Sequence, residues 1–165
     1  MAKKKSKPNL LRTKITLLTI MGLLLLVLSL TPAAFATEAL SEKLDRLLPA
    51  IRQVESGGKN NAVGDAGKSI GAYQIQRAYW QDAIEHDPSI GGSYKDCFDP
   101  VYAEKIVRAY LDRYAPDDAT LEDLARIHNG GPSILKKKNS TKIKEKKAWN
   151  NTTKYWQEVK KELNS

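Results

Sequence analysis

The 165-residue sequence holds one cysteine, Cys97, and two histidines, His86 and His128. A lone thiol excludes an intramolecular disulfide, so stability must come from packed apolar residues. Cys97 is expected as a small buried apolar residue. Neither histidine has a metal-ligand neighbour at helical spacing, which argues against zinc, and no metal or other cofactor is implied. No G-x-S-x-G elbow exposes a nucleophilic serine. The stretch GDAGKS lacks the first glycine of a phosphate loop. No internal repeat is present.

Acidic residues are absent from positions 1–36, which carry six basic ones: Lys3, Lys4, Lys5, Lys7, Arg12 and Lys14. The formal charge of +8 is therefore unevenly spread. Residues 37–135 hold 11 basic and 16 acidic side chains, and residues 136–165 hold 10 basic and 3 acidic. A mildly acidic body with basic ends argues against nucleic acid, whose binders carry positive charge on a folded face. The Lys-rich segment 136–147 suits attraction to anionic polymers, and equally a solvated surface. The N-terminus has the order of an export signal. A basic stretch precedes the apolar run Ile15–Leu30, and TPAAFA comes next, with Ala34 and Ala36 in the small-residue pattern of a cleavage site. Cleavage predicts a signal peptide over residues 1–36, a mature start at Thr37, an exported protein and no stable membrane partner. The alternative is an uncleaved anchor, although a 16-residue run falls short of the ~20 of a membrane span.

From residue 38 onward the pattern is mainly helical. Leu40, Leu44, Leu47, Leu48, Ile51 and Val54 recur at three- and four-residue steps. Pro49 interrupts them and fits best as the first residue of a second helical segment, which stops at Gly57-Gly58. Residues 59–70 form a polar loop, and 71–76 fit a short strand or a buried turn. Residues 77–86 make a short helix with Ala78, Trp80 and Ile84 as contacts. Asp99-Pro100 starts a helix by cap and first-turn preferences, with Val101, Ala103, Ile106, Val107, Tyr110 and Leu111 as its buried stripe. Thr120 and Asp123 resemble a capping box ahead of a helix that ends at Gly130-Gly131-Pro132. Residues 133–148 are Lys-rich and poor in pattern, which predicts a mobile loop. A last helix over 152–163 is anchored by Tyr155, Trp156, Val159 and Leu163. The expectation is one α+β domain, predominantly helical, with a small β or loop lobe at 62–76.

The chemistry best matched to these residues uses two carboxylates. Glu55 sits in the last turn of a helix, where the dipole and apolar packing both favour the protonated form. Asp65 sits ten residues on, in a polar loop. Such contrasting surroundings separate a general acid from an ionised partner. The spacing by itself fits equally well a helix-end residue and a solvated turn.

From about Ile51 to Val159 the sequence resembles the invertebrate-type (destabilase-like) lysozyme family. The matching pieces are VESGG at 54–58, GDAGKSIGAYQI at 64–75, YWQDA at 79–83, ARIHNGGP at 125–132 and YWQEV at 155–159. The resemblance implies a lysozyme-like fold and cleavage of the β-1,4 bond between N-acetylmuramic acid and N-acetylglucosamine in peptidoglycan. The family's catalytic Glu falls on Glu55 and its catalytic Asp on Asp65. The resemblance further implies that Ser69, Tyr73, Gln74, His128, Asn129 and Gly130 line the sugar cleft, although His128 also suits a structural cap. The loop between the two acids is shorter than in animal members, which leaves Asp82 as a second candidate partner. Isopeptide cleavage, known in some members, is attributed to a Ser and a Lys at positions that hold Lys68 and Gln76 here, so that activity is not expected. Two alternatives to a muramidase remain open: a lytic transglycosylase, which needs only the Glu, and a non-catalytic peptidoglycan-binding protein.

Overall fold

The computed structural model describes the backbone of residues 32–165 and the side chains of residues 40–165. The basic stretch and apolar run of the export signal lie outside the described residues. Residues Ala39–Ser165 form one compact unit, which holds the hydrophobic core. Among the described residues no helix is long and apolar enough to cross a membrane.

Among the described residues five α-helices carry the fold: α1 Pro32–Ser56, α2 Arg77–His86, α3 Pro100–Tyr114, α4 Leu121–Gly130 and α5 Ile143–Leu163. A small antiparallel sheet, β1 Val63–Gly64, β2 Ser69–Ile70 and β3 Ile75–Gln76, lies between α1 and α2 in the chain. Its register sets Val63 opposite Ile70 and Ser69 opposite Gln76. The architecture is the expected lysozyme-like α+β fold, with the small lobe where the sequence indicates it.

The α1 stripe is the centre of the core, with Leu44, Leu47, Leu48 and Ile51 buried. Packed with it are Ala103, Ile106, Val107 and Leu111 of α3, Leu124 and Ile127 of α4, and Val159 of α5. Asp99 caps α3 by accepting from the Val101 and Tyr102 amides at 2.7 and 3.0 Å. Thr120 and Asp123 form a reciprocal capping box on α4. Cys97 is fully buried, and burial pushes its thiol up to about 12, so it serves as an apolar filler.

Four local expectations are corrected. The first helix runs unbroken through Pro49. Pro49 is exposed and is flanked by the buried Leu47, Leu48, Ala50 and Ile51, so packing on the inner face holds the helix while the missing N–H faces water. Ala78 is exposed, and Ala83 is the buried alanine of α2. Val101, in the first turn of α3, is 66% exposed and lies off the buried stripe. Residues 133–148 are largely structured: Ile134 is fully buried in a short 3₁₀ turn, Ile134–Lys137, and α5 already begins at Ile143. The lysines obscure this because they decorate outward positions while a few residues, Ile134, Leu135, Ala148 and Trp149, make the contacts.

Candidate active site

Arg126 ties α4 to α5. It is 3% exposed and pairs with Glu122 one turn back at 2.6 Å. It also donates to Thr152 Oγ1 at 2.8 Å and Thr153 Oγ1 at 3.0 Å on α5, and lies 3.9 Å over the Trp149 ring. A buried guanidinium is tolerable only with this degree of pairing. The α4–α5 contact then becomes close enough to require Gly130: a Cβ there would stand 2.6 Å from Thr152 Cγ2 and 2.7 Å from Ile134 Cγ1. The His128-Asn129-Gly130 end of α4 is thereby held in one place.

The end of α1 is fixed from the other side. Ser56 Oγ donates to the Ala72 carbonyl at 2.9 Å, tying the helix terminus to the small lobe. One residue earlier, Glu55 has a side chain 18% exposed, and His128, 4% exposed, brings Nε2 to 3.5 Å from Glu55 Oε1. His128 Nδ1 is 3.0 Å from the Tyr79 hydroxyl. With Tyr79 donating to Nδ1, the neutral ring carries its proton on Nε2, facing the carboxylate. Tyr79 stacks on Tyr110 with ring centroids 3.5 Å apart. Burial holds the Tyr79 hydroxyl well above its ordinary range, with Tyr110 and the Glu55 charge adding to the effect. The buried Tyr155 hydroxyl is raised by burial first and then by Glu55, and it has no hydrogen-bond partner among the described residues.

Asp65 is built differently. It is exposed, and its φ of 48° begins a left-handed run continued by Ala66 at 55° and Gly67 at 91°. Asp tolerates this conformation better than most residues, and strain of this kind concentrates at functional sites. Its Oδ2 accepts from Ser69 Oγ at 2.6 Å and from Gln76 Nε2 at 3.2 Å. These bonds, Ser69 first, hold the Asp65 carboxyl below its ordinary value, with a smaller contribution from Lys68. The register that sets Ser69 beside Gln76 is what lets both reach one oxygen.

Glu55, Asp65, Ser69, Gln74, His128, Asn129 and Gly130 all line one cleft of about 550 Å³. Asp82 lines it too, and no lysine or arginine does. Gln74, at φ 47°, donates to the Gly71 carbonyl at 2.9 Å and lies across Gly64, where a Cβ would stand 2.1 Å from Gln74 Oε1. Tyr73 is the correction to the expected set. It is 3% exposed and belongs to the core, and burial, then Glu104, pushes its phenol up to about 12. In a tight turn, neighbouring side chains point opposite ways, so Tyr73 and Gln74 cannot both face the cleft. Sequence reasoning missed Tyr79 and Gln76. Gln76 lies in a strand too short to carry a periodic signal, and the Tyr79–His128 contact bridges 49 positions and leaves no local trace.

A carboxylate cleft between a helical body and a small antiparallel lobe defines the lysozyme class of fold. The Destabilase family model matches residues 45–161, and the chain belongs to that family of invertebrate-type lysozymes. It is 32% identical over 146 residues to a protein named Lysozyme from Ostrea edulis, covering 84% of this chain and 93% of that one. It is 43% identical over 68 residues to Lysozyme from Magallana gigas, covering 39% of this chain and 47% of that protein. To Lysozyme 1 from Crassostrea virginica it is 37% identical over 76 residues, covering 44% and 39% respectively. The last two matches thus span less than half of those relatives. No solved structure matches the chain significantly.

Proposed function

We propose that this protein is an exported muramidase that hydrolyses the β-1,4 bond between N-acetylmuramic acid and N-acetylglucosamine in peptidoglycan. The chain is a glycoside hydrolase of the lysozyme class. The observation that carries the finer reading is the pair of carboxylates lining one cleft in opposite surroundings. Glu55 is largely enclosed beside His128, Tyr79 and Tyr155, in a position to meet a glycosidic oxygen in the cleft. Asp65 is exposed, hydrogen-bonded and favoured as the anion, the environment of a nucleophile or charge stabiliser.

In this mechanism Glu55 protonates the glycosidic oxygen as the bond breaks. Asp65 meets the positive charge that develops at the anomeric carbon, by covalent attack or by close electrostatic contact. Water then completes the reaction with Glu55 as base, and configuration is retained. Ser69 and Gln76 keep Asp65 oriented. The amides of Gln74 and Asn129 supply donors and acceptors suited to sugar hydroxyl and acetamido groups. The basic and apolar N-terminal stretches support export.

The test uses purified protein and its Glu55→Gln variant on insoluble peptidoglycan, with released fragments weighed. Reducing N-acetylmuramic ends, lost in the variant, are the expected result. Anhydro ends would replace the hydrolase with a lytic transglycosylase. Wall binding without release of fragments would leave only a binding protein.

A further inference from the structure

A second recess, of about 380 Å³, opens beside the cleft and shares Gln76 and Ala78 with it. Its remaining walls are Gly67, Lys68, Arg77 and Tyr94. The two spaces differ in sign: the cleft has three carboxylates and no lysine or arginine, whereas the recess has two cations and no carboxylate. Neither Lys68 nor Arg77 makes an ion pair among the described residues.

The recess is also held in shape. Tyr94 Oη reaches the carbonyls of Lys68 at 2.9 Å and Ile75 at 2.8 Å, so its ring is fixed between the turn and β3. The Arg77 guanidinium carbon lies 4.6 Å over that ring. Stacking of this kind leaves the planar fork free to take an anion edge-on. The left-handed run at 65–67 brings Lys68 round to the same space.

We infer that this recess binds a free carboxylate of the peptide carried on the lactyl group of N-acetylmuramic acid. The inference rests on the muramidase reading and deepens it: the preferred substrate is the peptide-bearing glycan. Gln76 joins the two spaces, because the residue that donates to Asp65 also forms the rim of the basic recess. A substituent that leaves the reacting sugar over this rim meets Lys68 and Arg77. Charge-assisted contacts with both are strong enough to discriminate substrates.

The test compares two preparations of teichoic-acid-free peptidoglycan, one native and one with its peptide carboxylates amidated. The wild-type protein is expected to show a kcat/KM about tenfold higher on the native wall, the ratio that one charged hydrogen bond of usual strength supplies. The double variant Lys68→Gln, Arg77→Gln is expected to bring that ratio close to one. Because a ratio is read within each protein, general loss of activity does not imitate the effect. High salt should likewise lower the wild-type ratio. Equal wild-type rates on both walls would overturn the inference and leave the muramidase reading standing. A double variant that keeps the preference would also overturn it, by placing recognition elsewhere. No release from either wall would remove both readings together.

Discussion

The two walls of the cleft treat the same functional group in opposite ways. On the helical wall, Glu55 sits in the last turn of a helix whose Leu44, Leu47, Leu48 and Ile51 are buried, and it is enclosed by His128, Tyr79 and Tyr155. On the sheet wall, Asp65 sits just after a two-residue hairpin strand in a left-handed turn, open to water and held by two side-chain donors. The helical wall is rigid because tertiary packing surrounds it. The small lobe has little core of its own, and its geometry depends on specific hydrogen bonds and on glycines. Rigid enclosure fixes a carboxyl group in a single orientation. An open polar turn suits one that must stay charged.

Substitutions on the two walls should therefore differ in kind. The largest effect is expected for Glu55→Gln, with turnover on peptidoglycan reduced about 10³-fold or more, because general acid catalysis and its return step are both lost. Its thermal midpoint should stay near that of the wild type, since the amide fills the same space. Asp65→Asn should come next, with a loss of about 10²-fold in kcat measured on the same substrate. Asn tolerates the left-handed turn, so a large drop in folded yield would instead assign Asp65 a structural role. Equal losses from both changes would erase the division of labour between the walls.

Tyr79→Phe tests the helical wall through a residue that touches no substrate bond. It removes the hydroxyl that meets His128 Nδ1. A hydrogen bond of this class contributes about 1 kcal/mol, so a fall of a few °C in Tm and about fivefold in kcat is expected. Unchanged kinetics would mean that His128 needs no orienting partner.

Ser69→Ala tests the sheet wall by pH. Asp65 has a folded-state pKa below its ordinary value of 3.8, chiefly through the Ser69 bond. The stability this contributes is therefore full above that value and is lost as pH falls through the lowered one. Without the Ser69 hydroxyl the pKa rises, so the acid limb of the kcat/KM profile should move to higher pH. An unmoved limb would show that Asp65 does not control it. The smallest effect is expected far from both walls. Replacing Lys136, Lys137 and Lys138 with Gln should weaken wall binding only at low salt and leave cleavage of a short soluble glycan unchanged.

Much of this was legible in the residues. The helical periodicity, the Asp99-Pro100 and Thr120/Asp123 starts and the Gly-Gly stops are local signals, and local signals survive because capping and periodicity act within a few residues. The small lobe was legible as a place but not as a hairpin, because strands two residues long carry no periodicity. Pro49, Ala78 and Val101 were misplaced for a different reason: which face of a helix is buried depends on what packs against it. The Lys-rich stretch hid a helix, since a few buried anchors outweigh many solvated lysines.

The sequence by itself determined the helical body and the lobe at 62–76 and nominated Glu55 and Asp65 as candidates, because those come from short-range preferences and from resemblance in ordered motifs. The tertiary structure alone decided that His128 turns toward Glu55, that Gln76 shares Asp65 with Ser69, that Tyr73 faces inward and that a basic recess adjoins an acidic cleft. Each of these joins segments separated in the chain. The relative placement of such segments is set by the sum of many weak packing contacts, which no single stretch of sequence contains.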